Sequence, residues 1–160
     1  MQDGPKIMAV ASAGGHWVQL MRLSPAWHGL RVCYVSTDPG LGPALRARAE
    51  AEGVPEPGFA AVTEASRWEK RRLLVQLLQI ALLVRRERPD VIVTTGAAPG
   101  YFALRVGRLF GARTVWIDSM ANAEELSLSG RKAGRHADLW LTQWEHLARP
   151  GGPQFMGSVL

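Results

Sequence analysis

The chain has 160 residues, 47% of them hydrophobic and 21% charged, which suits one globular domain and excludes an intrinsically disordered chain. Its net charge of +5 favours anionic partners, whether nucleic acid, a lipid surface or phosphorylated ligands. The single cysteine, Cys33, excludes an intrachain disulfide and a cysteine-rich zinc site.

Strand and helix patterns alternate along the chain. Short apolar or β-branched runs end in small residues, as buried parallel strands do, and stretches with helical spacing separate them. The predicted order is strand 6–12, helix 16–27, strand 31–37, helix 43–52, strand 58–62, helix 68–88, strand 90–95, helix 100–110, strand 113–118, helix 127–136, strand 138–142, a short helix ending at 147, and a strand or linker at 155–160. This alternation predicts a single α/β domain over 1–160 with a Rossmann-like, doubly wound parallel sheet, in which ligands bind at the carboxyl ends of the strands.

The loop after the first predicted strand reads Ser12-Ala13-Gly14-Gly15-His16. Its glycines let the backbone approach a ligand closely, and free amides at a helix start attract phosphate. His16 would face the crevice, where an imidazole can act as a base or bind a hydroxyl or phosphate. A tight turn with a capping histidine explains the same residues.

A nicotinamide-cofactor site is a rival interpretation of this loop. Asp38 ends the second strand at about the distance expected of a ribose-binding carboxylate. The loop lacks the GxGxxG pattern, however, and the bulky Trp17 and Val18 follow the histidine. The pattern therefore disfavours an NAD-dependent oxidoreductase.

Two later loops add candidate residues at the same edge. Residues 94–100 form a small-residue loop in which Gly96 leaves room for a ligand, although close helix–sheet packing explains it too. The strand at 113–118 ends in Asp118, a carboxylate placed for general-base chemistry or for a helix cap. Hydroxyls beyond it suit phosphate binding or the capping of a basic helix. The candidate substrate-binding residues of this segment are Ser119, Asn122, Ser127 and Ser129.

The predicted helix 68–88 has an almost wholly apolar centre, at 73–84, between clusters of basic residues. This run is shorter than the ~20 residues that span a bilayer. It suits either a buried crossover helix or a helix lying on an anionic membrane surface. The candidate membrane-contact residues are Trp68, Lys70, Arg71 and Arg72. Basic and aromatic residues do not form a stacking platform, so nucleic acid is not an expected partner.

Four segments together resemble one family. They are residues 11–16 with the following Gln19-Leu20, residues 88–96 (RPDVIVTTG), residues 116–119 (WIDS) with 126–130 (LSLSG), and residues 156–158 (MGS). In the same order, they are similar to segments of the PssD- and EpsE-type bacterial exopolysaccharide glycosyltransferase subunits and of the eukaryotic asparagine-linked glycosylation protein 14 family. The first motif alone is moderately specific, whereas the set covers nearly the whole chain.

The resemblance implies the N-terminal half of a MurG-like GT-B glycosyltransferase, with the donor-binding half on a separate PssE-like chain. It implies an inverting hexosyltransferase subunit that is active with its partner and needs no metal or other cofactor. A UDP-sugar would donate GlcNAc or glucuronic acid to a polyprenyl-diphosphate-linked acceptor in polysaccharide biosynthesis. Asp118 or His16 would be the catalytic base, and the amides of Gly14 and Gly15 would help to hold diphosphate.

The resemblance also implies a location and leaves one alternative. The protein is expected to be peripheral on the cytoplasmic face of the cell membrane. Eukaryotic relatives carry an N-terminal membrane helix, which we do not expect before Lys6, so membrane contact is predicted at 68–88. Asp118 stands where many relatives have glutamate, which shortens the reach of the carboxylate. A non-catalytic scaffold that recruits the catalytic subunit to the membrane is the alternative function.

Overall fold

The computed structural model describes residues 4–159, so residues 1–3 and 160 of the predicted domain 1–160 lie outside the described residues. Its centre is a seven-stranded sheet with the order β3-β2-β1-β4-β5-β6-β7. All neighbouring strands pair in parallel. The strands are β1 (Lys6–Val10), β2 (Arg31–Ser36), β3 (Gly58–Ala61), β4 (Val91–Thr94), β5 (Arg113–Ile117), β6 (Leu139–Thr142) and β7 (Gln154–Phe155). The predicted Rossmann-like sheet is confirmed.

Helices cover both faces of this sheet. They are α1 (Gly15–Arg22), α2 (Leu41–Glu52), α3 (Lys70–Glu87), α4 (Ala97–Leu109) and α5 (Leu128–Ala133), with short 3-10 helices at Ser24–Trp27 and Glu145–Leu147. Successive strand side chains point to opposite faces, so Ile7 and Ala9 of β1 join the apolar cluster with α1 and α2. Met8 and Val10 join the cluster with α3, α4 and α5 on the other face.

Three helices differ most in extent from the sequence prediction. The helix predicted at 16–27 ends at Arg22, and a 3-10 turn follows because Pro25 lacks the N–H needed to continue an α-helix. The helix predicted at 127–136 stops before Gly134, a poor helix former. α4 begins at Ala97 instead of residue 100, since Pro99 is tolerated in a first turn whose amides have no helical partner.

The longest helix, α3, buries only one face. Gln76, Ile80 and Val84 are buried on the face that packs on the sheet, so the predicted buried crossover helix is buried on that face and exposed on the other. We call the exposed face the outer stripe, and its apolar side chains, 44–65% exposed, are Leu74, Val75, Leu78 and Leu82. Trp68, predicted inside this helix, lies before its first residue.

Two glutamines determine which face of α3 turns outward. Gln76 Nε2 donates to the carbonyl oxygen of Thr63 at 2.8 Å, and Gln79 Oε1 accepts from the Thr63 N–H at 2.7 Å. Because the helix uses both backbone groups of Thr63, rotating it about its axis would leave them unpaired. The outer stripe therefore keeps its exposure while the opposite face packs on the sheet.

β1 and β4 mark the point where the strand order reverses. The chain runs outward from β1 through β2 to β3, and α3 then returns it to β4, which pairs with the free side of β1. Val10 and Thr94 are paired at the carboxyl ends of these strands. The loops that follow β1 and β4 therefore lie side by side, where ligands bind in sheets of this type.

We expect Gly100→Ala to lower the free energy of unfolding by about 1–3 kcal/mol, because the new Cβ would overlap the side chain of Thr94 under α4. Urea denaturation measures the loss. Gly58→Ala is the control, since its Cβ would meet Cys33 at an ordinary 3.5 Å. A change below about 0.5 kcal/mol is expected there. Equal stability of the two variants would contradict the close approach of α4 to β4.

Candidate functional site

His16 and Thr95 bridge the loops after β1 and β4. The Thr95 hydroxyl donates to the carbonyl oxygen of His16 at 2.7 Å, and His16 Nδ1 lies 2.9 Å from the carbonyl oxygen of Thr95. Each residue thus bonds the other through one side-chain group and one backbone group. This reciprocal pair holds the imidazole at the switch point of the sheet, at the edge where the sequence predicts His16.

The bond to Thr95 determines which ring nitrogen of His16 is free. A carbonyl oxygen only accepts, so Nδ1 carries the hydrogen. In the neutral ring, Nε2 then keeps its lone pair, and it has no hydrogen-bond partner among residues 4–159. The side chain is half-buried at the crevice. Nε2 is therefore placed to take a proton from a bound group.

Two helix starts converge beside His16. Gly14, at φ 81°, precedes α1, and Gly96, at φ 129°, precedes α4. Among residues 4–159, no side chain caps either helix. First-turn amides without a cap are available to a ligand, and both helix dipoles favour an anion there. Gly96 also gives the imidazole its room, because a Cβ would lie 2.9 Å from the ring. Gly14, Gly15 and Gly96 thus lie beside His16, and their contact with a ligand stays a prediction.

Asp118 lies beneath the crevice instead of facing it. Its side chain accepts hydrogen bonds from Trp116 Nε1 at 3.1 Å, the Ser127 N–H at 2.8 Å and the Ser127 hydroxyl at 2.6 Å. The residue is 1% exposed. Because the carboxylate is buried as well as bonded at both oxygens, it is not open to a substrate hydroxyl in this conformation. The geometry does not support the prediction that Asp118 is the base and supports a role as the anchor of the loop after β5.

The same anchor accounts for the segment 126–130. Ser127 caps α5, because its hydroxyl oxygen accepts from the Gly130 N–H at 2.8 Å while its hydrogen goes to Asp118. Gly130 packs so closely on that carboxylate that a Cβ would collide with it. The Ser127 hydroxyl therefore bonds within the protein, and the geometry does not support its predicted contact with substrate. Asn122 and Ser129, both half-buried on this part of the chain, stay predicted substrate contacts.

A buried amide pair, which the sequence analysis missed, joins three segments of the site. Gln143 Nε2 donates to Gln19 Oε1 at 2.7 Å and to the carbonyl oxygen of Asp118 at 2.9 Å. Gln19, on α1, donates to the Ser119 hydroxyl at 3.0 Å and accepts from the Met120 N–H at 3.1 Å. Because Ser119 is buried and bonded internally, the geometry does not support its predicted contact with substrate.

The described end of the chain joins the same network. The Val159 N–H donates to Gln143 Oε1 at 3.0 Å, and the Val159 carbonyl oxygen accepts from Arg22 at 3.0 Å. Two sequence signals pointed to this network: Gln19 interrupts the apolar spacing of the first helix, and Gln143 directly follows a strand at the ligand-binding edge. Neither signal predicts which residue the glutamine bonds.

The four predicted membrane-contact residues lie at the amino-terminal end of α3. Trp68 is 78% exposed, with the Arg67 guanidinium 4.7 Å from its ring centre. Lys70 and Arg71 are exposed, and Arg72 pairs with Glu69 at 3.0 Å. They lie beside the amino-terminal end of the outer stripe. Within residues 4–159, no helix is long and apolar enough to cross a membrane.

A cavity of about 770 Å³ lies at the opposite edge of the sheet. Its lining includes Lys6, Arg31 and Gly58, the first residues of β1, β2 and β3. The candidate residues at the carboxyl edge are not part of it. In the part of the chain that the structure describes, no group of three or more His, Cys, Asp and Glu residues is placed to hold a metal ion.

Comparison with known proteins identifies the family. Residues 62–158 match the family model described as "Oligosaccharide biosynthesis protein Alg14 like". The UDP-N-acetylglucosamine transferase subunit ALG14 of Eremothecium gossypii is 31% identical over 166 residues, which cover 89% of this chain and 74% of that protein. The chain belongs to the Alg14-like family. The ALG14 subunit of Yarrowia lipolytica is 36% identical to this Alg14-like chain over 72 residues, 41% of this chain and 33% of that protein.

Solved structures of larger proteins share the fold of this Alg14-like chain. MurG of Acinetobacter baumannii superposes with a TM-score of 0.73 at 11% identity, over 98% of this chain and 46% of MurG. The UDP-N-acetylglucosamine 2-epimerase of Rickettsia bellii superposes with a TM-score of 0.68 at 14% identity, over 97% of this chain and 45% of the epimerase. The chain therefore spans just under half the length of these proteins and has the fold of one half of a GT-B-like structure.

We expect Asp118→Asn to lower the free energy of unfolding by about 1–3 kcal/mol, because the amide NH₂ would face a hydrogen-bond donor of Ser127 or Trp116. Urea denaturation measures this loss. Hydrogen exchange should also become faster at 119–127, the segment that the carboxylate holds.

Ser129→Ala is the control for this variant, since the Ser129 side chain has no hydrogen bond within residues 4–159. Its stability should stay within about 0.5 kcal/mol of the wild type. Unchanged exchange at 119–127 in Asp118→Asn would refute the anchoring role.

Proposed function

We propose that this chain is the acceptor-side subunit of a two-chain, UDP-sugar-dependent, inverting glycosyltransferase. The transferred sugar is of the GlcNAc or glucuronic acid class, and the acceptor is a polyprenyl-diphosphate-linked glycolipid of polysaccharide biosynthesis. A PssE-like partner supplies the donor site, and the pair acts at the cytoplasmic face of the cell membrane. The observation that carries the proposal is the His16 imidazole, which Thr95 holds at the switch point with Nε2 free.

His16 serves as the base in this proposal. Its Nε2 takes the proton of the acceptor hydroxyl while the hydroxyl oxygen bonds to the anomeric carbon. The bond from that carbon to the diphosphate oxygen breaks, UDP leaves with the electron pair, and the configuration inverts. The imidazolium that results is stabilised by the bond from Nδ1–H to the Thr95 carbonyl oxygen.

The surrounding backbone is suited to the charged part of the acceptor. The amides of Gly14 and Gly15 at the start of α1, with those after Gly96 at the start of α4, would hold its diphosphate. Asn122 contacts the acceptor from the loop after β5. Asp118 acts indirectly, by holding that loop in place.

The proposal of a second chain rests on the relatives, and the fold is compatible with it. The chain covers 46% of MurG, and its matched relatives are named transferase subunits. Within residues 4–159, the crevice is lined by loops at the carboxyl ends of this chain's own strands. A donor-binding domain opposite this edge would complete the site, as the second half of a GT-B fold does.

The outer stripe of α3 is the proposed membrane contact. Its leucines recur at four-residue spacing and are exposed, and cations flank both ends of the helix. An apolar stripe bordered by cations suits the boundary between headgroups and acyl chains of an anionic bilayer. The exposed flanking cations are Arg67, Lys70, Arg71, Arg72, Arg85, Arg86 and Arg88.

A non-catalytic scaffold is the second candidate function. The outer stripe favours it, because a membrane contact serves recruitment whether or not the chain takes part in chemistry. The internal bonding of Asp118 also favours it, since one of the two predicted bases is already committed to the fold. The two functions differ in what the loss of His16 does to turnover.

His16→Ala and His16→Gln are expected to lower kcat of the reconstituted pair by about 10²–10⁴-fold, the usual contribution of a general base. The measurement is transfer from a radiolabelled UDP-sugar to a polyprenyl-diphosphate acceptor. Binding of each variant to the partner chain is measured in parallel and should match the wild type.

Val18→Ser is the matched control, because Val18 is an exposed residue of α1 that lies outside the proposed machinery. It should keep wild-type kcat. Full turnover of both His16 variants with intact partner binding would reject His16 as the base and favour the scaffold.

Replacing Leu74, Leu78 and Leu82 together by Gln is expected to weaken binding to vesicles that contain anionic phospholipid by at least about tenfold, because the apolar area that enters the bilayer is lost. Vesicle co-sedimentation measures the affinity. Val18→Gln, with a side chain 51% exposed on the opposite face, is the control and should bind like the wild type. Wild-type binding of the triple variant would exclude the outer stripe as the contact.

A further inference from the structure

We propose that Thr95 is the positioning residue of His16: its hydroxyl keeps the imidazole in the rotamer and tautomer that leave Nε2 as the proton acceptor. The inference rests on the proposed function for its catalytic consequence. Its structural part stands on the two hydrogen bonds between Thr95 and His16, at 2.7 and 2.9 Å.

The Thr95 hydroxyl is not needed to satisfy the His16 carbonyl. That oxygen lies in the first turn of α1, where it accepts from the backbone N–H four residues on. Thr95 adds a second, side-chain donor at 2.7 Å and is itself fully buried. The added bond therefore ties the start of α1 to the end of β4, which the helix alone does not require.

The Thr95 hydroxyl affects the ring because Thr95 and His16 are joined by two hydrogen bonds. Thr95 holds the backbone of His16 through its hydroxyl and the ring of His16 through its carbonyl oxygen. With the backbone fixed, the χ1 and χ2 torsions must keep Nδ1 within reach of that oxygen. Gly96 also lies so close to the ring that a Cβ at this position would be 2.9 Å from it. Without the hydroxyl, the His16 backbone is no longer bonded to the end of β4. The ring can then move away from the Thr95 carbonyl oxygen, and Nε2–H tautomers and other rotamers become accessible.

Neighbouring threonines at this edge use their hydroxyls elsewhere. Thr94 Oγ1 accepts from the Gly96 N–H at 3.1 Å, and Thr37 Oγ1 accepts from the Ala13 N–H at 3.1 Å. Thr37 thus supports the same loop as Thr95 without contacting His16. It provides a matched control for a general loosening of the loop.

The decisive experiment compares Thr95→Val, which keeps the shape but loses the donor, with Thr95→Ser, which keeps the donor. Long-range ¹H–¹⁵N spectra of the ¹⁵N-labelled full chain report which ring nitrogen of His16 is protonated, with His16→Ala used to assign the resonances. We expect a single Nδ1–H form in the wild type, Thr95→Ser and Thr37→Val. Thr95→Val should show a mixture of both tautomers. A single Nδ1–H form in Thr95→Val would overturn the proposal.

Kinetics of the reconstituted pair test the catalytic consequence. We expect kcat of Thr95→Val to fall about tenfold, as expected for a displaced but present base, with the acceptor KM within about twofold. Thr95→Ser should recover most of the loss. Unchanged kcat together with a mixed tautomer would overturn the positioning role. A wild-type pair without sugar transfer, but with the expected spectra, would reject the proposed reaction and leave the structural assignment of Thr95 supported.

Discussion

The parallel pairing of β1 with β4 is the constraint on which the site depends. His16 and Thr95 are 79 residues apart and meet only because α3 returns the chain from the outer strand β3 to the free side of β1. The aligned carboxyl ends of Val10 and Thr94 bring two glycine-led helix starts together. This single strand pairing therefore brings together the histidine, two helix dipoles and the glycines that precede the two helices. In an open α/β sheet, no other position puts loops from diverging directions next to each other.

Buried polar groups hold the loop after β5, and each of them depends on the others for its hydrogen bonds. Asp118, Gln19 and Gln143 would each carry a desolvation penalty if left unpaired in the interior. Here each is bonded to backbone or side-chain groups of another segment, so the loop after β5 is held from three directions. Such a network favours one conformation of the loop, because a partial arrangement leaves buried groups unsatisfied.

Much of the fold was predictable from sequence because its signals are local. Short apolar or β-branched runs predicted the six strands β1 to β6, whereas residues 155–160 were left as a strand or linker. The edge rule for such sheets placed His16 and Gly96 at the same edge. Asp118 shows where local information stops: a carboxylate after a strand has the same sequence signature whether it faces a substrate or the N–H of Ser127. The outer stripe shows it again, since the apolar centre of α3 does not reveal which face packs. Side chains of Gln76 and Gln79, bonded to Thr63 from a different segment, decide that.

The bond between Gln19 and Gln143 has a consequence for the order in which the molecule assembles. It joins positions 124 residues apart, so its loop-closure entropy is offset only when nearly the whole chain is available. On the ribosome, the His16–Thr95 bridge can form as soon as β4 has emerged and paired. The loop after β5 can be fixed only after β6 and the residues that follow it have been made. During synthesis, the His16–Thr95 bridge can therefore form at a stage when the loop after β5 still lacks its bonds to Gln19 and Gln143.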